Sequence, residues 1–114
     1  MRLPIAVALA LLTTPAMLAL PATAAAPQPA AAPVVVHIAN FTFGPPLLRV
    51  RVGQTVIWVN DDDIPHNVVA NDHAFKSKVL DTGEQFSYTF TKAGTVPYFC
   101  SLHPHMTAQV QVVG

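Results

Sequence analysis

From residue 34 onward, apolar side chains recur at every second position in short runs divided by turn residues. Leu48, Val50 and Val52 alternate with Arg49 and Arg51. Val56 and Trp58 oppose Ile57 and Val59, and Phe86, Tyr88 and Phe90 alternate with Ser87 and Thr89. A period of two buries one face of a strand, and no stretch carries the spacing of three and four over a length that would make a convincing helix. Gly53-Gln54, Asp81-Thr82-Gly83-Glu84 and Lys92-Ala93-Gly94 punctuate the runs. Strands are therefore expected near 34–38, 41–43, 48–52, 55–60, 66–70, 86–90, 96–100 and 108–113. The segment 71–78 is less regular, a short helix or an irregular strand. Seven to eight short strands at this spacing read as an all-β, Greek-key β-sandwich, with Trp58 and the phenylalanines in its core. Pro97 cannot donate to a ladder, so it is expected where its strand enters the sheet or kinks.

The first 33 residues follow other rules. Met1-Arg2 is positive, residues 5–12 are an unbroken apolar run, and Ala22-Thr23-Ala24 offers a small-residue cleavage pattern. This is the layout of a secretory signal peptide over residues 1–24. A membrane anchor is the competing reading. However, Thr13, Thr14 and Pro15 interrupt the run, and a span needs about 20 mainly apolar residues. Residues 25–33 are only Ala, Pro and Gln, a tether unable to bury useful surface. The domain proper is then 34–114. Without Arg2 it keeps five of the six Lys/Arg against six Asp/Glu. That balance offers nothing to nucleic acid or to an anionic membrane surface.

The chemistry gathers near the C-terminus, in Tyr98-Phe99-Cys100-Ser101-Leu102-His103-Pro104-His105-Met106. The lone cysteine is followed by a histidine three residues on and a methionine three after that, while Pro65-His66-Asn67 supplies another histidine from a different run. A single cysteine forms no internal disulfide, and an exported free thiol invites oxidation unless something else engages it. A buried inert cysteine is the plain alternative. Two imidazoles, a thiolate and a thioether are the ligand set of a blue-copper centre: His66, Cys100 and His103 as strong ligands with Met106 weak and axial. Copper(I) favours soft sulfur and imidazole serves both oxidation states, so little need move when an electron arrives. Pro65 restrains the approach to His66, and Pro104 stiffens the loop between His103 and Met106.

The chain resembles the cupredoxin family, most of all its amicyanin and plastocyanin branch. The residues that carry the likeness are Asn40-Phe41-Thr42-Phe43, the run 53–60, Pro65-His66-Asn67-Val68, Ala93-Gly94-Thr95 and the ligand loop itself. The resemblance implies a monomeric, periplasmic electron carrier, not an enzyme, with one type 1 copper and redox-protein donor and acceptor. It also implies that Asn67 helps hold the cysteine sulfur. Electrons would leave through His103, in a docking patch of Pro65, Leu102, His103, Pro104 and His105. Leu102 stands where amicyanins commonly have proline, and His105 where they commonly have an aromatic residue, so an amicyanin's own donor does not carry over. A copper-capturing or copper-delivering protein is the competing function, with His105 as a possible extra ligand or proton-sensitive neighbour. His37 and His73 read as surface residues. Asp61-Asp62-Asp63 reads as a solvated loop or, more sharply, as an acidic rim that steers a basic partner. Asn40-Phe41-Thr42 matches a glycosylation sequon, but the same residues fit a buried strand of the family.

Overall fold

The computed structural model describes residues 1–19 and 31–114. The Ala22-Thr23-Ala24 pattern and the tether up to residue 30 lie outside the described residues. Residues 1–19 form neither helix nor strand, and their apolar side chains are exposed. No helix among the described residues is long and apolar enough to cross a membrane.

Eight strands follow: β1 (Val34–Ala39), β2 (Thr42–Gly44), β3 (Leu47–Arg51), β4 (Thr55–Asn60), β5 (Val69–Ala70), β6 (Gln85–Thr89), β7 (Gly94–Cys100) and β8 (His103–Val113). They make two four-stranded sheets, ordered β2-β1-β4-β6 and β3-β8-β7-β5. Within them β1 runs parallel to β4 and β3 parallel to β8, while the other neighbours are antiparallel. The fold is an all-β sandwich, as the alternation requires. β4 carries the cause in plain form: Val56, Trp58 and Asn60 point inward and are buried, whereas Thr55, Ile57 and Val59 are only partly covered. Facing them, Val50 of β3, Tyr98 of β7 and Val110 and Val112 of β8 complete the interior. Trp58 is its centre, with ring centroids of Phe75, Phe86 and Tyr98 at 5.6, 5.7 and 5.5 Å. Each such side chain contributes about 1.5–3 kcal/mol by leaving water.

Three expectations need correction. Residues 66–70 are not one strand: His66 makes an isolated bridge to Leu80, and only Val69–Ala70 forms a ladder with β7. Of the two readings of 71–78 the irregular strand holds, without a helix, turning back through a Val69–Lys76 bridge. Pro97 sits inside β7, opposite Gln109 of β8, rather than at an entrance. The two-residue length of β5 explains why it is tolerated there. The Pro97 carbonyl accepts the Asn71 N–H at 2.9 Å, so the position that lacks a donor faces the end of this short edge strand, where one bond is forgone and no central ladder is cut. Finally, Phe41 is not core. Asn40 and Phe41 form the turn of the β1–β2 hairpin with φ of 49° and 59°, and Phe41 is 52% exposed. Alternation cannot be extrapolated through a left-handed turn, so the period-two reading of Phe41 and Phe43 fails at the hairpin.

Candidate metal centre

Three connections meet at one end of the sandwich: the β1–β2 hairpin, the long β4–β5 loop and the β7–β8 hairpin. Cys100 is the last residue of β7 and His103 the first of β8. They pair directly across a two-residue turn, Ser101-Leu102, whereas Phe99 pairs with Thr107. Pro104, His105 and Met106 are therefore extra residues on the β8 side, a bulge that bends the strand and re-aims its side chains. The spacing of three and three thus has a structural form: a tight turn between Cys100 and His103, then a bulge ending on Met106.

His66 arrives from the β4–β5 loop, anchored by reciprocal backbone bonds with Leu80 of 3.1 and 2.7 Å. Its Nδ1 lies 3.7 Å from Cys100 Sγ, and His103 Nδ1 lies 3.7 Å from the same sulfur. The three donor atoms all fall within 4.8 Å of one another. Zinc-like bonds of about 2.0–2.3 Å to nitrogen and sulfur would separate three coplanar donors by about 3.5–4.0 Å. The cluster therefore fits a single metal ion, and its one-thiolate, two-imidazole chemistry fits one type 1 copper. His66 and Cys100 are fully buried and His103 is half-buried, so the centre reaches solvent through one imidazole. Met106 is buried in the same core cluster as Cys100.

The surroundings hold these groups. Asn67 N–H donates to Cys100 Sγ at 3.4 Å. The Asn67 side chain forms a two-way brace with Ser101: its Nδ2 donates to Ser101 Oγ at 2.6 Å, and its Oδ1 accepts the Ser101 N–H at 2.7 Å. One residue thus ties the His66 loop to the turn between Cys100 and His103. Pro65, Leu102, Pro104 and His105 are all exposed, and His103 is half-buried. His105 is not among the residues that converge with Cys100.

Two residues were not legible as site residues in the sequence. Asp62 does not behave as part of a solvated acidic run. Its side chain is only 12% exposed, and its Oδ2 lies 2.9 Å from His66 Nε2. A carboxylate only accepts, so His66 carries its proton on Nε2 and leaves Nδ1 free toward the sulfur. The hydrogen bond from His66, followed by that from the Phe41 backbone, holds the Asp62 carboxyl below its ordinary range. Asp61 does lie at the surface and pairs with the exposed His37. The second missed residue is Phe41. Its ring stands edge-on to His66 at 5.6 Å and to His103 at 4.9 Å. The only signal available for Asp62 was its position four residues before His66; for Phe41 there was none beyond the turn-forming asparagine before it.

The sequence pattern of copper binding proteins of the plastocyanin/azurin family matches residues 30–113. Amicyanin of Paracoccus denitrificans is 40% identical over 84 residues, which cover 69% of this chain and 64% of that protein. Amicyanin-alpha of Methylorubrum extorquens is 33% identical over 68% of this chain and 69% of its own length. This chain thus spans 64% of the length of the Paracoccus denitrificans amicyanin it matches. Among solved structures, a purple cupredoxin from Nitrosopumilus maritimus superposes with a TM-score of 0.68 at 33% identity, covering 70% of this chain and 99% of that one. An oxidized amicyanin mutant superposes at 0.67 with 38% identity, covering 70% and 81%. With a matching sandwich and a family match along nearly the whole folded region, this chain belongs to the copper-binding plastocyanin/azurin family, the cupredoxins.

Proposed function

We propose that this protein is an exported, monomeric one-electron carrier whose type 1 copper would be held by His66, Cys100, His103 and Met106. The observation that carries the reading is the convergence of one buried thiol and two imidazole Nδ1 atoms on a common centre. Copper held there would supply one-electron chemistry between Cu(II) and Cu(I). The chain's part is to keep the donors still. The Asn67–Ser101 brace fixes the turn between Cys100 and His103, the Asn67 N–H stabilises a thiolate, and the Leu80 bridge fixes the His66 backbone. Rigid donors lower the rearrangement each transfer demands.

His103, half-buried among exposed Pro65, Leu102, Pro104 and His105, is the exit for the electron and the centre of a docking patch for redox-protein donor and acceptor. Phe41 extends that patch with exposed aromatic surface. The family reading and the closed donor set favour a carrier over a catalyst. Export rests on the positive and apolar start of residues 1–24 with its small-residue cleavage pattern. The exposed residues 1–19, which add nothing to the core, accord with a segment removed on export, leaving 25–33 as tether and 34–114 as the domain.

The test is the visible and EPR spectrum of the Cu(II)-loaded domain beside Cys100→Ala, with voltammetry of the first. An intense blue, green or purple thiolate band, small copper hyperfine splitting and a reversible one-electron wave, with band and splitting lost in the variant, are expected. A colourless protein with ordinary copper EPR unaffected by the variant would overturn the reading in favour of copper capture or delivery.

A further inference from the structure

The β1–β2 hairpin is built against its own backbone preference. A two-residue turn with both central φ angles positive wants asparagine and then glycine, yet here it has Asn40 and Phe41, at 49° and 59°. A bulky residue with positive φ is an outlier, and such outliers collect where function over-determines them. The Phe41 N–H donates to Asp62 Oδ2 at 3.2 Å, and the same oxygen accepts the His66 Nε2–H at 2.9 Å. The Phe41 ring then stands edge-on to both His66 and His103.

Asp62 is itself set from three sides. Its N–H donates to Asn60 Oδ1 at 2.9 Å, its carbonyl accepts Thr82 Oγ1 at 2.7 Å, and the Asp63 N–H donates to its Oδ1 at 3.3 Å. Asn60 is fully buried, and its amide donates to Ile64 and Leu80 carbonyls at 2.9 Å each. The carboxylate is thus fixed by the loop's own hydrogen bonds.

We propose that Asp62 and Phe41 act together as a clamp on the two histidines, Asp62 fixing the His66 ring and its tautomer and Phe41, pinned by the same oxygen, blocking rotation of His66 and His103. Both are positioning residues, and the inference rests on the copper reading above. The clamp places a fixed negative charge one imidazole away from the metal position, which favours Cu(II) over Cu(I). A carboxylate behind a ligating histidine also raises its basicity, and loss of such a partner costs about 10- to 100-fold in metal affinity.

The experiment compares wild type, Asp62→Asn and Phe41→Gly, each first without metal by thermal melting and then with copper by Cu(II) competition, EPR and voltammetry. Asp62→Asn keeps the shape and removes the charge. It is expected to weaken Cu(II) binding at least tenfold and to raise the reduction potential, by about 59 mV for each tenfold by which Cu(II) affinity falls more than Cu(I) affinity. Phe41→Gly supplies the residue the turn prefers, so the metal-free protein is expected to melt at a higher temperature while Cu(II) affinity falls several-fold and the EPR signal broadens. That opposition of stability and site quality is not the signature of a merely structural residue. Unchanged Cu(II) affinity, potential and EPR in both variants would overturn the clamp, as would a Phe41→Gly protein that melts lower without metal and binds copper as wild type does. The wild-type spectrum decides the copper reading by itself, so failure of the clamp is distinguishable from failure of the centre.

Discussion

At the scale of single residues, Asn67 joins the two pieces of chain that bring the donors together. Its backbone serves the sulfur and its side chain serves the turn, so the two roles can be separated. Asn67→Ala removes the two bonds to Ser101 and leaves the N–H. Since Ser101 is exposed and water can repair part of the loss, the cost is expected to be about 1–2 kcal/mol, read by denaturant melts of the metal-free protein. The thiolate band should survive in the copper-loaded variant, because its hydrogen bond comes from the backbone. A loss of the band without a loss of stability would invert those roles. Cys100, His66 and His103 were legible in the sequence because few jobs suit that combination of side chains at that spacing. Asp62 was not, because a run of three aspartates looks solvated until the loop is folded and one of the three turns inward. Phe41 was hidden for a different reason: an aromatic residue one step from a strand reads as core, and only the left-handed turn carries it outward.

At the scale of elements, alternation located the strands well wherever one face is dry and the other wet, as in β3, β4 and β6. It failed where sheet pairing ends early. The expected strand at 66–70 shrinks to β5 because the run before it is held by the His66–Leu80 bridge and by the sulfur-bound Asn67, leaving Val69–Ala70 to pair with β7. The brevity of β5 is what makes room for Pro97. If the proline is tolerated because its nitrogen faces the end of an edge strand, Pro97→Val restores a donor toward a neighbour that needs little and gives back unfolded-chain entropy. The two changes oppose each other, and the substitution is expected to move stability by less than about 1 kcal/mol in thermal or denaturant melts. A loss of several kcal/mol would mean that Pro97 is held by packing that the ladder geometry does not capture. The β7–β8 hairpin is compact, as the spacing suggested, and brings Cys100 and His103 together. Its bulge was not foreseen, because no residue type announces which of Pro104, His105 and Met106 leaves the register.

At the scale of the molecule, two sheets close over an aromatic interior that carries polar atoms with nothing to bond. Trp58 Nε1 and Tyr98 Oη are both buried without a hydrogen-bond partner. Burial pushes the Tyr98 hydroxyl up to about 12; the Trp58 Nε1–H, near the hydroxyl but outside hydrogen-bonding geometry, opposes only part of the rise. An unpartnered buried hydroxyl costs about 1–3 kcal/mol, whereas removing it with the ring kept costs little. Tyr98→Phe is therefore expected to stabilise the fold by about 1 kcal/mol near neutral pH. The pH dependence follows from the direction of the change. A folded hydroxyl that ionises later than the unfolded one binds protons preferentially in the folded state, so the linked stability is full below about pH 10 and is lost as pH rises toward 12. Wild type should thus lose stability across that alkaline window by an amount that Tyr98→Phe does not. The upper bound is about 2–3 kcal/mol, since each tenfold difference in proton affinity between the folded and unfolded hydroxyl is worth about 1.4 kcal/mol. Denaturant melts of both proteins at pH 7 and pH 11, metal-free so that the copper site adds no titration of its own, decide it. Parallel losses in the two proteins would mean that Tyr98 finds a partner in solution and that the sandwich interior is less dry than its packing indicates.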